Sequence, residues 1–246
     1  MSPALVKDVV ILVAMQAEAA PMIKRFGLEL DENKFPASAP CQCYSGDYKG
    51  SKVHLVTNGK CKRFGCDEVG TVSAGLSAWL TLEAFKPDLM INAGTAGGFR
   101  RKGAEIGDVF VSSHMRHHDR RVAIPEFEEW AVGHHEAAST KQLQAALGFK
   151  HGVVTTGNSL DHTERDREIM EANDASVKDM EAAAVAWACE LHGVPLFCIK
   201  VVTDIVDGDR PAQDEFLENL GKAAHSLQEA MPKTLDFVIG RDVNDL

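Results

Sequence analysis

Four carboxylates stand where their chemistry could be put to use. Glu18 follows the apolar run Val9–Ala14 and opens a helical pattern. Such an acid can complement the helix dipole, worth about 0.3–1 kcal/mol, or it can activate water. Asp204 ends the strongest apolar run, Leu196–Val202, directly after Thr203. An aspartate there is commonly a cap or turn residue; held protonated, it could give a proton to a leaving group. Glu181, in Asp179-Met180-Glu181, heads an alanine-rich helical pattern. Acids in a first turn again favour the dipole. A carboxylate also has two acceptor oxygens and so matches two neighbouring hydroxyls. Asp161 closes the segment Gly157-Asn158-Ser159-Leu160-Asp161.

Other motifs carry less. Gly94-Thr95-Ala96-Gly97-Gly98 follows the run Leu89–Ala93. It has neither the GxGxxG spacing nor a P-loop lysine, so it does not support pyrophosphate binding. Its glycines fit a tight turn or a close backbone approach to a ligand. His114-Met115-Arg116-His117-His118-Asp119-Arg120-Arg121 invites a metal reading. Three interleaved arginines favour a solvated or interface segment instead. Six cysteines occur without a CxxC pair, which argues against a tetrahedral zinc site. Ser159 has no GxSxG elbow around it.

These residues must be positioned by something. Short apolar runs at Val9–Ala14, Val53–Thr57, Leu89–Ala93, Val109–Ser113, Val153–Thr156 and Leu196–Val202 alternate with helical patterns. The helical patterns are Glu18–Arg25, Asp67–Phe85, Lys178–His192 and Asp214–Ala230. This alternation predicts an α/β fold with a mostly parallel sheet covered on both faces. Cys41–Lys52 reads as a hairpin turning at Ser45-Gly46-Asp47. No linker divides the chain, so residues 1–246 read as one domain. In open α/β sheets ligands bind past the C-terminal strand ends. Glu18, Asp161 and Asp204 follow such ends, while Glu181 opens a helix.

With 246 residues the chain can bury a core without staples. A net charge of −10 argues against nucleic-acid binding, which needs clustered Lys and Arg. Val9–Ala14 is too short to span a membrane and has no basic leader. Cys189 and Cys198 sit in apolar runs and read as core thiols, which fits a reduced, cytosolic setting.

Taken in order, Met15-Gln16-Ala17-Glu18, Ile91–Phe99, Ile106-Gly107-Asp108-Val109, Asp179–Ala184 and Val202-Thr203-Asp204 resemble the 5′-methylthioadenosine/S-adenosylhomocysteine nucleosidases. The resemblance covers nearly the whole chain. His118–Arg121 and Thr203–Asp209 look most like the plant-type branch, which favours methylthioadenosine. Asn158 departs from that branch's pattern, which usually has an aspartate there. The resemblance implies a three-layer nucleoside phosphorylase-like fold: a twisted, mostly parallel or mixed sheet flanked by helices.

It also implies roles. Asp204 protonates the leaving purine, and Glu18 orients and deprotonates water. Glu181 holds the ribose hydroxyls over Met180. Thr95 lies near the ribose, Leu160 covers the adenine, and groups near Asp161 read its edge. Thr203 belongs to the Asp204 block. Met115, Ile124 and Pro125 of a neighbouring subunit close the 5′ pocket of a homodimer. No metal or organic cofactor is required. A phosphorylase on the same fold would carry an arginine near Asn92 and a Gly-Asp-Pro turn near Met15. A storage or binding member would have lost Glu18 or Asp204.

Overall fold

The computed structural model describes residues 5–246. In chain order the elements are β1 (Asp8–Val13), α1 (Gln16–Phe26), β2 (Glu29–Leu30), β3 (Gln42–Tyr48), β4 (Ser51–Thr57), α2 (Thr71–Phe85) and β5 (Leu89–Gly98). Then follow β6 (Val109–His117), α3 (Pro125–Val132), β7 (His135–Glu136), α4 (Lys141–Leu147), β8 (Lys150–Thr156) and α5 (Glu164–Ala172). The chain ends with β9 (Ala175–Asp179), α6 (Ala182–His192), β10 (Leu196–Ile205) and α7 (Ala212–Val238).

The strands form one mixed sheet in the order β10-β6-β8-β9-β5-β1-β4-β3-β2, with β7 on β6. β10 also pairs with β5, in parallel, so the five strands from β10 to β5 close into a ring. Closure satisfies the backbone groups that edge strands would leave open. It also brings the C-terminal ends of β5 and β10 side by side: Asp204 is paired with Gly97.

The hydrophobic pattern explains the layers. β1 reads Asp-Val-Val-Ile-Leu-Val and is buried from Val9 onward, as a strand covered on both faces must be. Val9, Ile11 and Val13 pack towards Ala223, Leu227, Met231 and Leu235 of α7. Val10 and Leu12 pack on the other side with Ala74, Ala78 and Leu82 of α2. Alternate side chains thus serve two helical layers. Among the described residues no helix is long and apolar enough to cross a membrane.

Several elements differ from the sequence reading. The glycine-rich segment Gly94–Gly98 is neither turn nor loop but the second half of β5. The helix expected from Lys178 begins at Ala182, because Ala175–Asp179 pairs in the sheet as β9. The hairpin does not turn at Ser45-Gly46-Asp47, which lies within β3; it turns at Lys49-Gly50, both with positive φ. Helix α7 runs past Pro232 to Val238. The first half of the segment expected to be solvated or at an interface, His114–His117, is the end of strand β6, and His117 and His118 are buried. Burial pulls both imidazoles down to about 4, so neither is cationic at neutral pH.

Candidate active site

One cavity of about 260 Å³ opens past the ends of β1, β5, β9 and β10. Glu18, Glu181 and Asp204 all line it, with Thr95, Leu160, Met180 and Thr203. These seven of the residues singled out from sequence meet at one place, while Met115, Ile124, Pro125 and Asp161 do not line it. Met115 is fully buried in the protomer core, between β6 and the α2/α6 layer, and does not reach the cavity. Its strand runs on beyond Ser113, so its side chain is committed inward. Asp161 points away and lines an adjacent surface groove with His162 and Arg167.

Glu18 sits in the first turn of α1, 3% exposed. The backbone N–H and the hydroxyl of Thr95 both donate to its Oε1, each at 2.7 Å. No hydrogen bond engages Oε2 among the described residues, and it is the oxygen available to a guest. Burial raises its pKa, while the Thr95 bonds and the Lys200 charge work in the opposite direction.

Asp204 ends β10. Burial raises its pKa as well, opposed by Thr203 and the nearby Lys178. Thr203 Oγ1 lies 2.8 Å from Asp204 Oδ1 and 3.2 Å from the Ala96 carbonyl. Its single proton can serve an ionised Asp204. When Asp204 is protonated, Thr203 can accept from it and donate to Ala96 instead. Either protonation state thus has its partners, as a proton-transfer group needs.

The glycines of β5 make this possible. A Cβ on Gly97 would stand 2.7 Å from Asp204 Oδ2 and equally close to Val206 Cγ2. At Gly94 it would only touch the Glu18 carboxylate, 3.4 Å from Oε2. At Gly97 the close approach is to the protein's own Asp204 carboxylate. Gly97→Ala should overpack the strand end, costing about 1–3 kcal/mol of stability. Its melting temperature should fall by several degrees, and displacement of Asp204 should lower kcat. An unchanged kcat would show that turnover tolerates the displacement.

Glu181 is the N-cap residue of α6, and its Oε1 accepts the Gly70 N–H at 2.9 Å. Burial first, then the neighbouring Asp179 charge, pushes its pKa up to about 7. Asp179 itself is held below the usual carboxylate range. Burial opposes its charge, but Lys200 Nζ at 2.8 Å, the Thr156 hydroxyl at 2.6 Å and the Ala182 N–H at 2.9 Å outweigh that.

Lys178 and Lys200 also line the cavity, and the sequence reading missed both. Lys200 is 1% exposed. A lysine inside the apolar run Leu196–Val202 was the available signal, since a buried charge must be paired. Lys178 donates to the carbonyls of Ser159 (2.7 Å) and Leu160 (2.9 Å), fixing the segment that carries Leu160 over the cavity. Val69 and Phe216 complete the apolar rim, and nothing in their local sequence marks them.

A ring-closed mixed sheet with three buried carboxylates around one apolar cavity defines an α/β protein equipped for acid–base chemistry on a small, partly apolar molecule. The chain belongs to the phosphorylase superfamily, whose pattern matches residues 8–236, and within it to the 5′-methylthioadenosine/S-adenosylhomocysteine nucleosidases. It is 43% identical to a 5′-methylthioadenosine nucleosidase of Arabidopsis thaliana, over 98% of this chain and 91% of that one. It is 44% identical to a 5′-methylthioadenosine/S-adenosylhomocysteine nucleosidase of the same plant, over 98% and 95%. The structure of the Arabidopsis thaliana 5′-methylthioadenosine nucleosidase in apo form superposes with a TM-score of 0.96, covering 98% of this chain and all of that one.

Proposed function

We propose that this protein hydrolyses the N-glycosidic bond of 5′-methylthioadenosine, giving adenine and 5-methylthioribose. Asp204 acts as the acid, Glu18 as the base for water, and Glu181 as the holder of the 2′- and 3′-hydroxyls. The observation that carries this is the convergence of the three carboxylates on one cavity. Breaking the bond builds positive charge on the sugar and negative charge on the base. Carboxylates beside the sugar oppose the first, and a proton delivered by Asp204 neutralises the second. Leu160, Val69 and Phe216 offer the apolar surface a purine and a thioether need.

Water rather than phosphate is the nucleophile in this reading. Among the described lining residues the cations are Lys178 and Lys200. One is committed to two carbonyls and the other to Asp179. Neither is left free to bind an anion, and no arginine lines the cavity. Adenine should therefore appear at the same rate with and without phosphate, with free methylthioribose as the co-product. Strict phosphate dependence, or a sugar 1-phosphate, would reject the assignment. Methylthioadenosine should give the higher kcat/KM, because the charged homocysteine tail of S-adenosylhomocysteine must keep its solvation while a methylthio group needs only an apolar pocket. Equal values for the two would remove the preference and leave the reaction.

The reading includes a homodimer in the cytoplasm. Val72, Leu76 and Trp79 form one exposed stripe on α2, and Trp187 and Leu191 form another on the adjoining α6. An apolar patch of this kind is what a second copy would cover. The groove beside it, lined by Thr71, Asp119, Asn158 and Trp187, adjoins the site through Gly70 and Thr71. Val72→Asp with Leu76→Glu should yield monomers on sedimentation and lower activity. A wild type that sediments as a fully active monomer would refute the dimer.

A further inference from the structure

Among the described residues the Glu181 side chain takes one hydrogen bond, from the Gly70 N–H. What holds that amide still therefore matters. Gly70 is the N-cap of α2 at φ 95°, a left-handed conformation suited to glycine, and it has no side chain to cap the helix. The cap comes from elsewhere in the chain. Asn158 Oδ1 accepts the Thr71 N–H at 2.9 Å and the Thr71 hydroxyl at 2.8 Å. Asn158 is fixed in turn by Asp119 Oδ2, which accepts its N–H at 2.6 Å and its Nδ2 at 3.1 Å.

Hydrogen bonds thus run from Asp119 through Asn158 to Thr71, and across the covalent Gly70–Thr71 backbone from Gly70 to Glu181. Every donor and acceptor along the way suits its place. Asparagine is fitted to the middle position because it accepts on one side and donates on the other. The same residue lies two positions before Leu160, so the covering segment and the carboxylate are tied at one point.

We propose that Asn158 is a positioning residue for sugar recognition: by capping α2 in place of a local side chain, it sets the Gly70 amide that aims Glu181 at the two sugar hydroxyls. The inference rests on the assignment of Glu181 to those hydroxyls. It separates Asn158 from a merely structural role, because a structural defect would lower turnover of all substrates alike. An aiming defect falls on the hydroxyl that Glu181 should meet.

The test compares kcat/KM for 5′-methylthioadenosine and its 2′-deoxy analogue. Asn158→Ala should reduce the preference for the ribo substrate by about tenfold, the scale of one lost positioning bond. The change should come from the ribo substrate, leaving the deoxy rate nearly intact. Asp119→Ala, which keeps the Asn158 side chain and loosens it, should act in the same direction more weakly. It also serves should Asn158→Ala fold poorly. Glu181→Gln is the control. If it collapses the preference while both other variants retain the wild-type ratio, or slow both substrates equally, the positioning role is overturned and the sugar assignment stands. If Glu181→Gln itself leaves the preference intact, both fall.

Discussion

Asp204→Asn should lower kcat by at least about 10²-fold, the usual worth of a general acid, and leave the fold intact. Asparagine has the shape of aspartate and keeps an oxygen for the Thr203 hydroxyl now 2.8 Å from Oδ1. It cannot surrender a proton. The purine must then leave as an anion, and the barrier rises by about 2.7 kcal/mol for each hundredfold loss. The pH profile gives a second reading. Burial raises the Asp204 pKa, so the protonated form persists above the ordinary carboxylate range. Activity that depends on this form falls as pH rises through that raised value. The variant should lose this limb along with its rate. Near wild-type turnover on methylthioadenosine, measured at saturation, would move the acid to another residue.

Glu18 and Asp204 were legible because each follows or ends an apolar run, where an α/β sheet presents its ligand, and Glu181 because it heads a helical pattern. Glu18 after β1 and Asp204 at the end of β10 needed only strand and helix recognised in the right order. Order and motif could not convey closure of the sheet. The pairing of β5 with β10 joins residues about a hundred positions apart, such as Gly97 and Asp204. Without it Gly94–Gly98 reads as a loop, since glycine disfavours strands. Paired as β5, Gly97 leaves the space into which the Asp204 carboxylate fits. Met115 failed for another reason. The resemblance put it at a neighbouring subunit's pocket, but in β6 its side chain is fully buried within its own protomer's core.

The supporting cast was hidden by distance along the chain. The Lys200–Asp179 pair, the bond from Gly70 to Glu181, and the hold of Lys178 on Leu160 all join elements whose proximity only the folded sheet creates. A lysine within an apolar strand does announce that a partner exists. It does not say which acid supplies it.

Glu18→Gln should also cost at least about 10²-fold in kcat, and should do so in a protein no less stable than the wild type. Glutamine can keep its oxygen on Thr95, preserving both 2.7 Å contacts. Its amide then occupies the place of the free carboxylate oxygen, donating where an acceptor is needed. Water is no longer deprotonated, and the sugar loses a negative charge at the moment it becomes cationic. Stability should move the other way. Burial raises the folded-state pKa of Glu18, so the native protein binds this proton more tightly than the unfolded chain does. With the proton favouring the native state, this group's contribution is greatest below the unfolded carboxylate pKa and is lost as pH rises through the raised value. A neutral glutamine escapes that loss. The variant's melting temperature should therefore match the wild type in mild acid and exceed it at pH 8, while its turnover stays low throughout. A variant destabilised at pH 8 would mean that Lys200 and Thr95 stabilise the Glu18 charge more than burial opposes it. Undiminished turnover would place the base elsewhere.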